Sequence, residues 1–237
     1  MTATQTRTLT FHDLGRIGYR EAWDYQETCF QKVVQHKVRD RELQVHERTP
    51  SPGYLLFCEH EPVVTMGKMA NDENILVSEE LLQSQGVSLF RINRGGDVTF
   101  HGPGQLVGYP IIDLDNYFTD IGRYLRSLEE TMIRTLADYS IEAGRLKGAT
   151  GVWIEPESSD ARKICAIGIR VSRWVTMHGW AFNVNTDLKY FDLINPCGLS
   201  KPVTSMQKEL GRPVGFEAVK ETVKRHFQDV FDARFMP

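Results

Sequence analysis

Cysteine is scarce in this chain of 237 residues, with four in all at 29, 58, 165 and 197 and no Cys-x-x-Cys pair. That spacing excludes a disulfide scaffold and a zinc knuckle, and leaves each thiol as core filler or as a nucleophile. No Lys/Arg block is long enough to form a basic arm, and a net charge of −3 gives no pull toward nucleic acid. No apolar run approaches the length of a membrane span. Met1–Thr8 carries hydroxyls and one arginine but no hydrophobic signal core, so a soluble cytoplasmic protein is expected. Glycine fingerprints of dinucleotide and P-loop sites are missing, as are internal repeats and low-complexity tracts. His60, His101 and His178 lack the spaced partners of a metal site, so no metal is expected.

What remains is an ordinary globular composition, 41% hydrophobic and 25% charged, in a chain long enough for one substantial core. Gly18–Val38 reads as an amphipathic helix, with Trp23, Gln26, Phe30, Val33 and Lys37 along one line. Tyr117–Tyr139 and Phe216–Phe231 repeat apolar residues at helical spacing, and Ser78 suits the N-cap of a brief helix ending before Gly86. Leu9–Phe11, Tyr54–Cys58, Val63–Met66, Leu89–Asn93 and Val107–Ile112 read as strands. So do Gly151–Glu155, Lys163–Ser172 and Val175–Val184. Many strands with few long helices predict an α/β or α+β protein built on a mixed sheet.

The segment 94–109 says most about function. It sets Arg94, Thr99, His101 and Gln105 among glycines, between two strand-like runs. Glycine lets backbone amides approach a ligand and adopt positive φ, so a loop at the rim of a sheet that binds a ligand is expected over a plain bulged hairpin. Lys163 opens an otherwise apolar strand, where a lysine commonly just reaches solvent; partly desolvated in a cleft it can trade protons. Cys197 lies in a Pro-Cys-Gly turn, where an accessible thiol is better placed to attack than one within a strand. Cys165 competes with it, because it shares a strand face with Lys163. His178-Gly179 interrupts a strand and is expected to shape the pocket.

These residues fall in blocks that resemble the octanoyltransferase family of lipoate biosynthesis, the lipoyl(octanoyl) transferases, from about Tyr54 to Leu210. The blocks are His60-Glu-Pro-Val-Val-Thr-Met-Gly67, the 94–105 loop and Thr150-Gly-Val-Trp153. They continue with Arg162-Lys-Ile-Cys-Ala-Ile-Gly168, His178-Gly-Trp-Ala-Phe-Asn-Val184 and Asn195-Pro-Cys-Gly198. The resemblance implies one catalytic domain over 1–237 with the fold of biotin and lipoate protein ligases: a mixed sheet flanked by helices, plus a smaller second sheet. It implies octanoyl (or lipoyl) transfer from acyl carrier protein to a lysine of the lipoyl domains of 2-oxoacid dehydrogenases or of glycine-cleavage H protein. Cys197 is then the acyl-accepting nucleophile and Lys163 its acid–base partner, with no cofactor. Arg94, Gly95, Gly96, Asp97, Val98, Thr99, Phe100 and His101 match the family's first acyl-pocket segment. Ala166, Ile167 and Gly168, and Gly179, Trp180 and Ala181, match the other two.

Ile167, Trp180 and Phe182 are expected to line the acyl slot, and Lys68, Arg94 and Lys201 to form a basic rim for an acidic carrier. Two other readings stand beside transfer. An ATP-dependent lipoate or biotin-type ligase of the same fold would need no cysteine, and a docking module would bind acyl-carrier or lipoyl domains without turnover.

Overall fold

The computed structural model describes residues 7–196 and 201–236. Strand β1 (Arg7–Ile17) leads into helix α1 (Tyr19–Glu42), followed by β2 (Tyr54–His60) and β3 (Val63–Met66). A short α2 (Glu79–Ser84), capped by the Ser78 hydroxyl accepting from the Leu81 N–H, precedes β4 (Ser88–Arg91). Strands β5 (Val98–His101) and β6 (Gln105–Ile111) then lead to α3 (Ile121–Asp138). Three further strands follow, β7 (Val152–Ile154), β8 (Arg162–Ser172) and β9 (Val175–Asn183). The chain closes with α4 (Met206–Leu210), α5 (Phe216–Phe231) and β10 (Ala233–Phe235).

The strands form a seven-stranded sheet in the order β10-β1-β2-β6-β9-β8-β7 and a three-stranded sheet in the order β4-β3-β5. Both are mixed: β1 runs parallel to β10 and β2, and β3 runs parallel to β4, while the remaining pairs are antiparallel. This is the mixed-sheet architecture that the strand pattern predicts, with the smaller second sheet that the family resemblance implies.

Side chains alternate across the large sheet, so each face gathers its own core. Leu55, Phe57, Trp180 and Phe182 face α3 and α5, which supply Leu128, Met132, Leu136, Val219, Val223 and Phe227. Leu56, Cys58, Val107, Tyr109 and Met177 face α1 through Phe30, Val33 and Val34. Each such side chain withdrawn from water is worth roughly 2 kcal/mol. A smaller core under the small sheet joins Val64, Met66 and Phe100 to Leu82, Leu193 and Ile194.

Several boundaries differ from the sequence expectation. The third helix starts at Ile121 and not at Tyr117, because the Asp120 carboxylate accepts the Arg123 N–H and caps it there. The glycine segment is no uninterrupted loop: 98–101 is a strand of the small sheet, with Thr99 opposite Thr65. His178 does not break its strand. It stays within β9 while adopting a left-handed φ of 61°. At the tip between β8 and β9, Arg173 and Trp174 have φ of 54° and 63°, as a two-residue hairpin turn of the twist-matching type requires. No helix among the described residues is long and apolar enough to cross a membrane.

The buried line on α1 includes a lysine, which demands a partner. Lys37 Nζ donates to Asp113 Oδ1 at 2.6 Å, and the two side chains are only 7% and 4% exposed. Asp113 also accepts from Ser51 and from the Asp115 N–H, so the pair ties α1 to the end of β6. Removing one partner strands the other charge in a low-dielectric site. Lys37→Ala is expected to lower the unfolding free energy by about 3 kcal/mol in urea titration; a loss below about 1 kcal/mol would show that the pair anchors nothing.

Candidate active site

A cavity of about 530 Å³ opens where the small sheet meets the large one. Its floor is the β8–β9 ladder, in which Ala166 pairs with Ala181, Ile167 with Trp180, Gly168 with Gly179 and Ile169 with His178. One wall is the Arg94–Thr99 stretch with His101, and the opposite wall is Leu125 of α3 with Gly148–Thr150. Lys163 borders the cavity at the start of β8, and Tyr19, Met69 and Tyr109 complete it. Volume and apolar lining suit a flexible acyl chain.

Glycine is required where the backbones close up. The Gly95 N–H donates to the Ile169 carbonyl at 2.8 Å, stitching the small sheet's loop to the edge of the floor. A Cβ on Gly168 would sit 2.9 Å from the Gly95 carbonyl oxygen, and one on Gly108 would sit 2.1 Å from the Trp180 indole.

Most of the residues expected from sequence converge here: Lys163, Arg94 to Thr99, His101, Ala166, Ile167, Gly168, Gly179, Trp180 and Ala181 all line the cavity. Phe100 does not. On the alternate face of β5, its ring stacks on Tyr190 at 4.7 Å between centroids, inside the small core. Phe182 is likewise fully buried in the large core and away from the cavity, so the slot lacks that wall. Cys197 lies outside the described residues. Cys165 is fully buried, and its thiol is pushed well up by desolvation and then by the Glu129 charge, which disfavours the thiolate a nucleophile needs. It is a core residue.

Arg94 is also not the rim charge expected of it. At 8% exposure, it donates from Nη2 to the Thr65 carbonyl (2.8 Å) and hydroxyl (3.0 Å) and from Nη1 to the Gly95 carbonyl (3.0 Å). It fixes the loop from within. Lys68 is exposed, and Lys201 is half-buried with Nζ donating to the Ser159 carbonyl.

The polar groups around the cavity are ordered by their partners. Gln105 Nε2 donates to the Phe100 carbonyl and to Asn183 Oδ1, so its Oε1 accepts from His101 Nδ1 at 2.8 Å. His60 donates from Nδ1 to the Ile17 carbonyl, and its Nε2 accepts from the Tyr109 hydroxyl at 2.7 Å. His178 Nε2 bonds Asn93 Oδ1 at 2.9 Å. Desolvation lowers all three imidazoles: His60 to about 4, His178 to about 3, and His101 well below its ordinary value. These histidines are neutral at pH 7. Among the described residues, no three His, Cys, Asp or Glu side chains gather as metal ligands would.

Lys163 is fixed by both its backbone groups. Its N–H donates to the Pro202 carbonyl and its carbonyl accepts the Thr204 N–H, each at 2.9 Å, while its Nζ lies 4.7 Å over the Trp153 ring. Tyr19, Met69, Tyr109, Leu125 and Gly148–Ala149 escaped the sequence reading. Tyr19 and Leu125 lie in regular elements with no local mark of function, whereas Tyr109 closes the 94–109 segment already singled out. Gly148–Ala149 had a signal, since it adjoins the Thr150-Gly-Val-Trp153 block.

With the geometry established, comparison with known proteins gives a consistent picture. Residues 18–228 match the family described as lipoyl protein ligase A/B catalytic domain. An octanoyltransferase of Flavobacterium psychrophilum is 52% identical over 228 residues, covering 95% of this chain and 97% of the relative. One of Cytophaga hutchinsonii is 50% identical, covering 95% and 93%. Among solved structures, a bipartite lipoate protein ligase of Thermoplasma acidophilum superposes with a TM-score of 0.71 at 17% identity, over 97% of this chain and 86% of that one. That likeness establishes the fold.

The buried neutral histidines give the protein an acid limit. The unfolded chain protonates each near 6.5 and the folded chain only well below it. Between those values the unfolded state binds more protons. The stabilisation is therefore complete above about 6.5 and is lost as pH falls, by up to about 1.4 kcal/mol per pH unit for each histidine. The urea midpoint is expected to fall markedly from pH 7 to pH 5, and the fall should be shallower in His60→Gln. Identical midpoints at both pH values would contradict neutral burial.

Proposed function

The chain belongs to the lipoyl protein ligase A/B catalytic domain family, and on that premise we propose that it transfers an octanoyl group from acyl carrier protein to a lysine of a lipoyl domain or of glycine-cleavage H protein, through a thioester on Cys197. Octanoyl transfer in protein lipoylation is the activity supported by 50–52% identity with octanoyltransferases over 95–96% of the chain. The observation that carries the site assignment is Lys163 at the border of a largely apolar cavity. We read residues 1–237 as one catalytic domain acting in the cytoplasm.

In the proposed first step the Lys163 side chain, acting as the neutral amine, takes the proton of the Cys197 thiol, and the sulfur attacks the donor thioester carbonyl. The carbon–sulfur bond to the carrier breaks, and the carrier thiolate leaves with the proton. In the second, the acceptor lysine's amine attacks the Cys197 thioester. An amide forms, a proton passes through Lys163, and the cysteine thiol is restored. The first step exchanges one thioester for another and is nearly balanced; the second is downhill.

Chain connectivity supports the pairing. Cys197 precedes Pro202 by five residues, at most about 18 Å of extended chain, and Pro202 is hydrogen-bonded to Lys163 itself. On the other flank the Asn195 N–H donates to the Asn74 carbonyl at 2.7 Å. Exposed Lys68 and half-buried Lys201 are the candidates for a contact with an acidic carrier.

The test is intact-protein mass spectrometry after mixing with octanoyl-acyl carrier protein, without ATP or acceptor, for the wild type, Cys197→Ala and Cys165→Ala. One octanoyl adduct is expected, absent only in Cys197→Ala and discharged by an added lipoyl domain. An adduct lost only in Cys165→Ala would move the nucleophile. No adduct on folded protein, with modification of the acceptor by octanoate and ATP, would establish the ligase reading.

A further inference from the structure

Lys163 does not hold its place through its own strand alone. Its two backbone groups pair with 202–204, a stretch outside the sheet ladders that bridges β8 in parallel at Val203. What fixes that stretch fixes the lysine.

The fixing converges on Thr204, which is fully buried. Its N–H donates to the Lys163 carbonyl at 2.9 Å, and its own carbonyl accepts from Asn183 Nδ2 at 3.0 Å. Its hydroxyl donates to Glu209 Oε1. Glu209, on α4, is clasped in turn by Arg162, Nε to Oε1 at 2.8 Å and Nη2 to Oε2 at 2.6 Å. Arg162 is the residue before Lys163, so the bonds close into a ring from Lys163 to Thr204, Glu209, Arg162 and back along the chain. The Arg162 pairing also holds the Glu209 carboxyl below its ordinary range. From the same threonine a second chain runs through Asn183 and Gln105 to His101 on the facing wall of the cavity.

We propose that Thr204 is a positioning residue for acyl transfer, its hydroxyl locking the 202–204 stretch onto Glu209 and Arg162 so that Lys163 is held in register with the cavity. This rests on the reading of Lys163 as the proton-transferring group. Packing alone does not call for a hydroxyl here, since valine fills the same volume. A hydroxyl is needed only for the bond to Glu209. Misplacing a reacting group by a fraction of an ångström costs rate far more than it costs binding.

The experiment measures kcat, KM for octanoyl-acyl carrier protein and thermal midpoint for Thr204→Val, Thr204→Ser and Lys163→Ala. Thr204→Val is expected to lower kcat about tenfold with KM unchanged, and Thr204→Ser to recover kcat to within about twofold. If Thr204→Val does not fold, Glu209→Gln replaces it. That variant keeps the volume, loses the charge that Arg162 clasps, and is expected to lower kcat at least about threefold. A lowered thermal midpoint with undiminished kcat in the folded protein would overturn the proposal and make the ring a structural brace only. So would loss of kcat that serine does not recover. Wild-type turnover by Lys163→Ala would instead overturn the underlying reading of the lysine.

Discussion

One backbone hydrogen bond governs the site: the Gly95 N–H to the Ile169 carbonyl, at 2.8 Å. Among the described residues it joins two sheets that share no ladder, and the cavity is the space left beneath the join. For the bond to form, the loop must lie almost on β8, which is why glycines face each other across it. A methyl group at Gly168 would crowd the Gly95 carbonyl at 2.9 Å. The buried Arg94 guanidinium completes the join by gripping Thr65 on the small sheet's central strand. The glycines and arginine of the segment are thus first a joint, and the binding surface is made by that joint.

The joint sets the electrostatics around it. Around the cavity the neutral histidines, amides and hydroxyls are oriented by defined partners, Arg94 and Asp97 add charge on the loop wall, and Lys163 sits over the Trp153 ring at the start of β8. The floor between them, from Ala166 to Ile169, stays apolar. Thiol chemistry is partitioned by the same logic. Cys29, Cys58 and Cys165 are buried, and burial holds each thiol in its neutral form. The proposed nucleophile, Cys197, lies outside the described residues, between Asn195 and Pro202, whose backbones are hydrogen-bonded.

Much of this was legible in the sequence because it depends on local repetition. The Phe216–Phe231 helix falls where apolar periodicity places it, and α1 announces its buried line, including Lys37. Strand 98–101 alternates apolar and polar residues but was hidden because it is only four residues long and flanked on both sides by the glycines that mark the segment as a loop. The start of α3 was misread because Tyr117 keeps the helical spacing although it precedes the Asp120 cap. Motif blocks located most of the cavity lining, yet could not say which way each side chain points. Phe100 and Phe182 turn into cores, and Arg94, which any charge reading puts at the surface, is consumed inside. The Thr204–Glu209–Arg162 ring joins residues too far apart in sequence for spacing to reveal.

The central claim is that the acyl chain lies along β8 beneath the Gly95–Ile169 join, with its carbonyl toward Lys163. A crystal structure of the protein with a non-hydrolysable octanoyl thioester analogue tests this directly. The account predicts density running from Lys163 past Ala166–Gly168 and under Gly95–Gly96. Density elsewhere, such as the cavity of about 280 Å³ beside Arg7 and Asp113, or a chain lying in the reverse direction, would contradict it.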